Sequence, residues 1–367
     1  MKNPLLKAAF ILPWLFFFAS TNSQELTKAS PESKGYSSSF FKAFGKKIND
    51  SMPCLGAFIV CRHDQIIYEN YFHGADSTDA FSIKSITKSV VSALAGIAKS
   101  KGLLPDLNTP VVQFFPEFVQ PRNMPSTVWF RGDKLWNDSV RNTVTLHDLL
   151  TMQHGWDWND FQGAVNIFIN AADPIRFTLD IPFADTPGTK FLYSSAASSL
   201  FGAALEKSVH TSLKDYAEKN LFAPLGMRCN RWDTDPQGRN IGCSEMFLTA
   251  RDLLRFGRLY LHGGKEGSQQ IIPKDWIEAS TKQQVKLDYW DIMPGANGYG
   301  YYWWRRKTNG HQAWVATGAG GQIITVLPDL DMVVVATCLF NKPNRGREEI
   351  RRIHGFIDLL TKGKSNG

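Results

Sequence analysis

The chain has 367 residues, 43% hydrophobic and 20% charged, with a formal charge of +7. Ordinary globular usage of this kind excludes a disordered chain, a collagen-like repeat and a small disulfide scaffold, and the length allows two domains or one large one. The positive excess lies in residues 301–367; with no arginine-rich arm, RNP-like run or zinc-finger spacing, it reads as a solvated basic face, and no nucleic-acid partner is expected.

Met1 to Lys7 is short and basic, and Ala8 to Ala19 (AAFILPWLFFFA) carries no charge. That run falls well short of the roughly 20 apolar residues a spanning helix needs. It suits the apolar region of a secretion signal, and Thr21-Asn22-Ser23 offers small residues for cleavage. Residues 1–23 are therefore predicted to be a signal peptide and 24–367 the mature chain, secreted or periplasmic, with no stable membrane insertion after cleavage. An N-terminal segment kept as an anchor is the alternative.

Ala57–Arg62 and Ile66–Phe72 are β-rich runs separated by His63-Asp64-Gln65, which predicts a hairpin. Ile86, Val90, Leu94 and Ile97 give Ser85–Lys101 the spacing of an amphipathic helix, stopped by Gly102. Thr145 with Asp148, and Thr249 with Asp252, predict capped starts for the helices LHDLLTMQH and ARDLLRFGRLYL. Further helices are predicted at 196–207, 213–221, 274–282 and 348–360. Strand character returns at 299–305, 313–317, 323–327 and 332–340, with a turn at Pro328–Asp331. Strands early, helices in the middle and strands late predict an α+β fold. One antiparallel sheet would draw on both chain ends (about 35–100 and 295–367), flanked by helices, with a mostly helical subdomain over about 103–294.

The five cysteines form no CxxC pair, and HExxH, a P-loop and a placed GxGxxG are missing, so no metal or cofactor is expected. In an exported chain Cys229 and Cys243 could close a disulfide loop. The one GxSxG, Gly363–Gly367, ends the chain and lacks the strand and helix a nucleophile elbow needs. The other serine-nucleophile pattern, S-x-x-K, occurs at Ser39–Lys42 and at Ser85–Lys88. Only the second opens a strong helix, where residues i and i+3 share a face and first-turn amides favour negative charge. That field together with burial would push Lys88 toward its neutral, basic form; the competing reading is a capping serine with a surface lysine.

Tyr193-Ser194-Ser195 stands between a strand-like run and a helix, where a tyrosine hydroxyl can shuttle a proton; core packing is the alternative. Tyr-x-Asn and Tyr-x-Ser also occur at Tyr68–Asn70 and Tyr36–Ser38, but both precede Ser85. Thr317-Gly318-Ala319-Gly320-Gly321 lies between two late strands, where glycines admit close approach and a strand edge can supply an oxyanion N–H. A glycine-rich turn accounts for it equally. GWDWNDF offers Trp156, Asp157, Trp158 and Asp160 as a cleft rim, with Asp157 facing an amine or amide N–H, or as a packed loop, and His154 reads as structural for want of an elbow serine.

Together, in this order, FSIKSITKSVVSALAG, TLHDLLTMQHGWDW, LTARDLLRFGRLYLHGG, GYGYYWW and ATGAGGQ resemble the serine β-lactamase and penicillin-recognising hydrolases. The similarity is greatest to the class C-like branch with its esterases, D-amino-acid peptidases and 6-aminohexanoate-dimer hydrolases, and it covers about residues 35–360. The resemblance implies the β-lactamase fold and a serine hydrolase that cleaves a small-molecule ester or amide through an acyl-enzyme. By it, Ser85 is the nucleophile, Lys88 its activating partner and Tyr193 the general acid/base. The backbone N–H groups of Ser85 and Ala319 form the oxyanion hole, and Ser195, Thr317, Gly318, Asp157 and Trp158 meet the substrate. Two positions depart from the pattern. Ser195 replaces the asparagine of Y-x-N, as in the 6-aminohexanoate-dimer hydrolase branch, and Ala316 replaces the Lys or His before Thr-Gly. Without that carboxylate partner, a neutral or amine-bearing substrate is expected over a β-lactam, unless Arg305 or Arg306 substitutes for it. β-Lactamase or D-amino-acid peptidase activity, or a catalytically silent binding module of the same fold, are the alternatives.

Overall fold

A computed structural model describes residues 25–118, 138–288, 293–344 and 346–362. The segment 1–23 and the terminal GxSxG lie outside them. The early hairpin is Leu55–Arg62 (β1) and Gln65–Tyr71 (β2), turned by His63 and Asp64 alone, both with positive φ (46° and 59°), the twist a two-residue hairpin turn requires. Three small strands follow, Ala80–Ser82 (β3), Arg231–Trp232 (β4) and Met246–Thr249 (β5), then the minor hairpin Lys265–Glu266 (β6) and Gln269–Gln270 (β7). The late strands are Val285–Lys286 (β8), Ala296–Tyr299 (β9), Trp304–Thr308 (β10), His311–Gly318 (β11), Gln322–Leu327 (β12) and Met332–Cys338 (β13).

The main sheet has eight strands in the order β2-β1-β13-β12-β11-β10-β9-β8, and every pairing is antiparallel. The two chain ends meet where β1 pairs with β13, Phe58 opposite Ala336 and Val60 opposite Val334. Strands β1, β12 and β13 are buried along their whole length, because helices cover both faces. Ser38–Ser51 (α1) sends Phe44 onto Phe58 of one face, where it also meets Phe356 of the C-terminal helix. On the other face Ile86–Ser100 (α2) lies against β11 and β12, and the capped helix at 250–261 crosses β13 and β12. Truncating a ring such as Phe58 in this core would cost about 3–5 kcal/mol.

The middle of the chain carries Asp138–Arg141 (α3), Leu146–Leu150 (α4), Ala164–Ile169 (α5), Pro174–Leu179 (α6), Ser195–Val209 (α7) and Leu213–Ala217 (α8). Ala250–Leu261 (α9), Lys274–Thr281 (α10) and Arg347–Lys362 (α11) complete the helices. Both capping boxes form, at Thr145/Asp148 and Thr249/Asp252. Among the described residues no helix is long and apolar enough to cross a membrane.

Four expectations change in detail. Helix α2 is not amphipathic: residues 86–98 are all buried, the small Ser89, Ala93 and Gly96 letting neighbours close on every side. Helix α4 stops at Leu150, and Met152 then takes a left-handed backbone (φ 59°). The strand expected over 299–305 is a hairpin, β9 and β10, whose Gly300–Trp303 turn is aromatic and buried; Ser89 Oγ donates to Tyr302 O. The helical middle also supplies β4 and β5 to a sheet with β3, which ties the segment before α2 to residues 246–249.

Candidate active site

Ser85 stands at the entry to α2, immediately after Lys84, whose backbone is left-handed (φ 50°). Lys84 is held there by an ion pair to Glu245 at 3.1 Å, and Glu245 is itself left-handed (φ 63°). Two strained non-glycine residues facing each other across a cleft mark a turn held in place by its surroundings. The Ser85 hydroxyl caps no helix amide, which removes the capping-serine reading.

Lys88, one turn on, is 1% exposed. Its Nζ donates to Ser85 Oγ at 2.9 Å, to the Cys243 carbonyl oxygen at 3.0 Å and to Ser195 Oγ at 3.4 Å. An ammonium has three N–H groups, and all three are used. Burial opposes charge on Lys88, but the Tyr193 phenol, the Cys243 thiol and the Asp160 carboxylate around it prevail and raise its pKa above the usual lysine value. The direction of this shift is the reverse of the one expected for Lys88, and in this geometry its Nζ stands as a donor to Ser85.

The second wall comes from the start of α7. Tyr193 places its ring 5.0 Å from Lys88 Nζ and stacks between Trp304 and Phe161, at centroid distances of 5.7 and 6.1 Å. Ser194 takes the N-cap duty, accepting from Ala197 N–H, which leaves the Ser195 side chain for the cleft. Ser195 Oγ donates to Asp160 Oδ2 at 2.6 Å, and its backbone N–H donates to Asp160 Oδ1 at 2.9 Å. Trp158 donates its indole N–H to the same carboxylate. Asp160, Ser195, Lys88 and Ser85 thus form one connected chain of hydrogen bonds.

The third wall is the end of β11. Thr317, Gly318 and Ala319 line the cleft, and Thr317 Oγ1 is buried there without a partner among the described residues. Gly318 lies so close to the turn before Ser85 that a Cβ on it would sit 2.3 Å from Ile83 O. Only glycine lets the strand run past the helix entry at this distance.

Asp157 and Trp158 do not line the cleft. Asp157 is buried, its N–H donating to Pro182 O, and Trp158 packs edge-on to Phe168 and Phe177 behind Asp160. Arg305 donates to Thr281 O, while Arg306 pairs with Asp358 at 2.8 Å, so neither replaces the cation missing at Ala316, itself buried in β11. His154 is structural: its Nε2–H donates to Leu192 O, its Nδ1 accepts from Trp156 N–H, and burial lowers its pKa to about 4. Tyr68 stacks on Phe41 and Tyr36 donates to Leu360 O, so both rival tyrosine motifs serve packing. Cys229 and Cys243 are free thiols, and no 229–243 disulfide forms. Among the described residues no cluster of three or more His, Cys, Asp or Glu is arranged to hold a metal ion. Lys84, Glu245 and the Cys243 carbonyl were not singled out from sequence, and Asp160 was named there only as one of four rim residues, with no partner. Lys84 and Asp160 both sat in quoted segments, and nothing in the spacing of Asp160 distinguishes it from Asp157.

A sheet built from both chain ends, with the Ser85/Lys88 helix entry set against Tyr193 and the Thr317–Ala319 strand, defines a known class. A family model described as Beta-lactamase matches residues 47–356, and the chain belongs to that family. Among individual proteins, it is 23% identical over 313 residues to the 6-aminohexanoate-dimer hydrolase of Paenarthrobacter ureafaciens, covering 83% of this chain and 76% of that one. Two solved structures share the fold. The octameric penicillin-binding protein homologue of Pyrococcus abyssi superposes with a TM-score of 0.66 at 20% identity, covering 88% of this chain and 76% of its own. EstCE1, a hydrolase with promiscuous acyltransferase activity, gives 0.67 at 18% identity, covering 84% and 94%.

Proposed function

We propose that the protein is an exported, cofactor-independent serine hydrolase that cleaves an ester or amide bond through an acyl-enzyme. The observation that carries this reading is the buried Lys88 Nζ, whose 2.9 Å hydrogen bond holds the Ser85 hydroxyl at the cleft. With all its protons on, Lys88 is a donor and cannot take the Ser85 proton, so the base is the Lys88–Tyr193 pair once it has lost one proton, with Tyr193 passing the proton on. Ser85 Oγ attacks the carbonyl carbon while its proton passes to the Lys88–Tyr193 pair, which has given up one proton beforehand and so regains its full complement. The backbone N–H groups of Ser85 and Ala319 receive the oxyanion. As the tetrahedral intermediate collapses, Tyr193 returns the proton to the departing alcohol or amine, leaving the acyl group on Ser85. Water then attacks the ester, gives its proton to Tyr193, and releases the acid as Ser85 recovers its own. Thr317 Oγ1 is a free hydrogen-bonding group for the substrate.

The substrate is neutral or amine-bearing. Ala316 offers no partner to a carboxylate beside the acyl group, and a charge-assisted hydrogen bond of this kind is worth about 1.5–3 kcal/mol. A relative named for the 6-aminohexanoate dimer is compatible with amide cleavage here. Export follows from the basic and apolar segment at 1–23, and gel mobility of the chain recovered outside the cytoplasm would test cleavage near Gln24. For the chemistry, a fluorophosphonate probe is expected to label the wild type at Ser85 and not Ser85→Ala; undiminished labelling of the variant would remove Ser85 as nucleophile.

A further inference from the structure

The cleft beside Ser85 encloses about 360 Å³, and its lining combines the hydrogen-bonded chain already described with a set of apolar side chains. The apolar part of the lining is Phe161, Val165 and Ile169 from the α5 region, with Trp304 and Ile350, and it begins at the Tyr193 ring, on which Phe161 stacks. Phe161 and Ile169 remain 45% and 52% exposed, and with Ile167 they make half of the large hydrophobic side chains left exposed among the described residues. Folding gains nothing by leaving these groups in water at the mouth of a site, whereas a ligand that covers them does. The wall is also fixed in place. Phe168, between Val165 and Ile169, is buried against Trp158, and the Arg347 guanidinium packs over the Phe161 ring at 4.4 Å.

Ile169 also lines a second cavity of about 360 Å³, together with Ile175, Ala203, Ile241 and Arg239, which pairs with Asp173 and Asp235. We propose that the substrate carries an unbranched alkyl chain, laid along Phe161, Val165 and Ile169, and that Ile169 is the partition which sets the chain length accepted. The proposal rests on the hydrolase reading above and names the substrate class of that same site. The chain belongs either to the acyl group or to the alcohol, and its recognition is the same apolar contact in both cases.

Two ester series separate these sources: p-nitrophenyl esters from acetate to dodecanoate, and acetates of methanol to decanol, all below their micellar concentrations. In at least one series kcat/KM should rise with length, by up to roughly fourfold per fully buried methylene, to an optimum beyond which it falls. Ile169→Ala, which joins the two cavities, should move that optimum to longer chains, and Ile169→Trp should move it to shorter ones; an exposed residue of this kind can be replaced without threatening the fold. A rise with the acyl series puts the chain on the acyl side, and a rise with the alcohol series puts it on the leaving-group side. Rates that are flat or falling with length in both series, or an optimum unmoved by both substitutions, overturn the proposal. Ser85→Ala measured in parallel keeps the two readings apart. Hydrolysis that survives in it refutes the nucleophile, whereas Ser85-dependent but length-independent hydrolysis refutes the alkyl site alone.

Discussion

The chain contains the same catalytic-looking tetrapeptide pattern twice, and its two copies have opposite fates. Ser39 and Lys42 lie exposed on α1, with Ser39 Oγ next to the Ser37 hydroxyl that caps the helix. Ser85 and Lys88 lie at the entry to a wholly buried helix, and the lysine is surrounded by three acceptors. Spacing puts serine and lysine on one face in both places. What separates them is long-range: the Cys243 carbonyl, Ser195 and the end of β11 arrive from segments more than a hundred residues away. A motif of this kind is a local geometry awaiting a tertiary environment.

Paired substitutions break the comparison most sharply. Ser85→Ala is expected to lower kcat/KM for a p-nitrophenyl ester by roughly 10⁴-fold, while Ser39→Ala stays within twofold of the wild type; equal losses would mean that the environment does not matter. Lys88→Met should cost on the order of 10³-fold in kcat yet leave the melting temperature near or above that of the wild type, since a buried cation replaced by an apolar side chain of similar length is often neutral or stabilising. Lys42→Met should change neither quantity.

Acid probes the loop that carries Asp160 to the second copy. Burial keeps His154 neutral down to about pH 4, against an ordinary value of 6.5. Between those values the unfolded chain binds a proton that the folded chain refuses. Stability is therefore full above pH 6.5 and falls as the pH drops toward 4, by about 3 kcal/mol from this residue. His354, also buried with a lowered pKa, adds in the same sense. Urea midpoints at pH 7.5 and 4.5 measure the loss, and His154→Gln should reduce it; an unchanged pH dependence in the variant would detach His154 from it. The smallest effect sharpens the comparison at its edge. Asp160→Asn keeps the shape but removes the charge that accepts from both Ser195 groups, and about a tenfold loss of kcat with KM little changed is expected.

Much of this arrangement was legible before folding. The hairpin at 55–71, both capping boxes and the three late strand runs at 313–317, 323–327 and 332–340 follow from period and turn chemistry, because each is decided by neighbours within a few residues. The assignments that failed depend on distant contacts. Lys88 was expected to be neutral because burial and the helix field are local effects, whereas the groups that shift it the other way come from 193, 243 and 160. The aromatic turn Gly300–Trp303 escaped notice because a buried turn needs none of the usual polar turn residues. Asp157 and Asp160 are alike in sequence, and the fold alone decides that one is buried near Pro182 and the other faces Ser195.

Pairing the chain's two ends in one sheet also sets a timetable for synthesis. Strand β1 is finished at Arg62, but its partner β13 begins at Met332, some 270 residues later, roughly 13–55 s at ribosomal rates. Throughout that interval the apolar segment LGAFIVCR has one ladder edge open, an invitation to pair with another nascent copy. Strand β11, which completes the cleft, is also among the last parts made. The polypeptide must therefore be protected from its own kind until almost the end of translation, and a message truncated before codon 332 would yield an aggregating product instead of a smaller working enzyme.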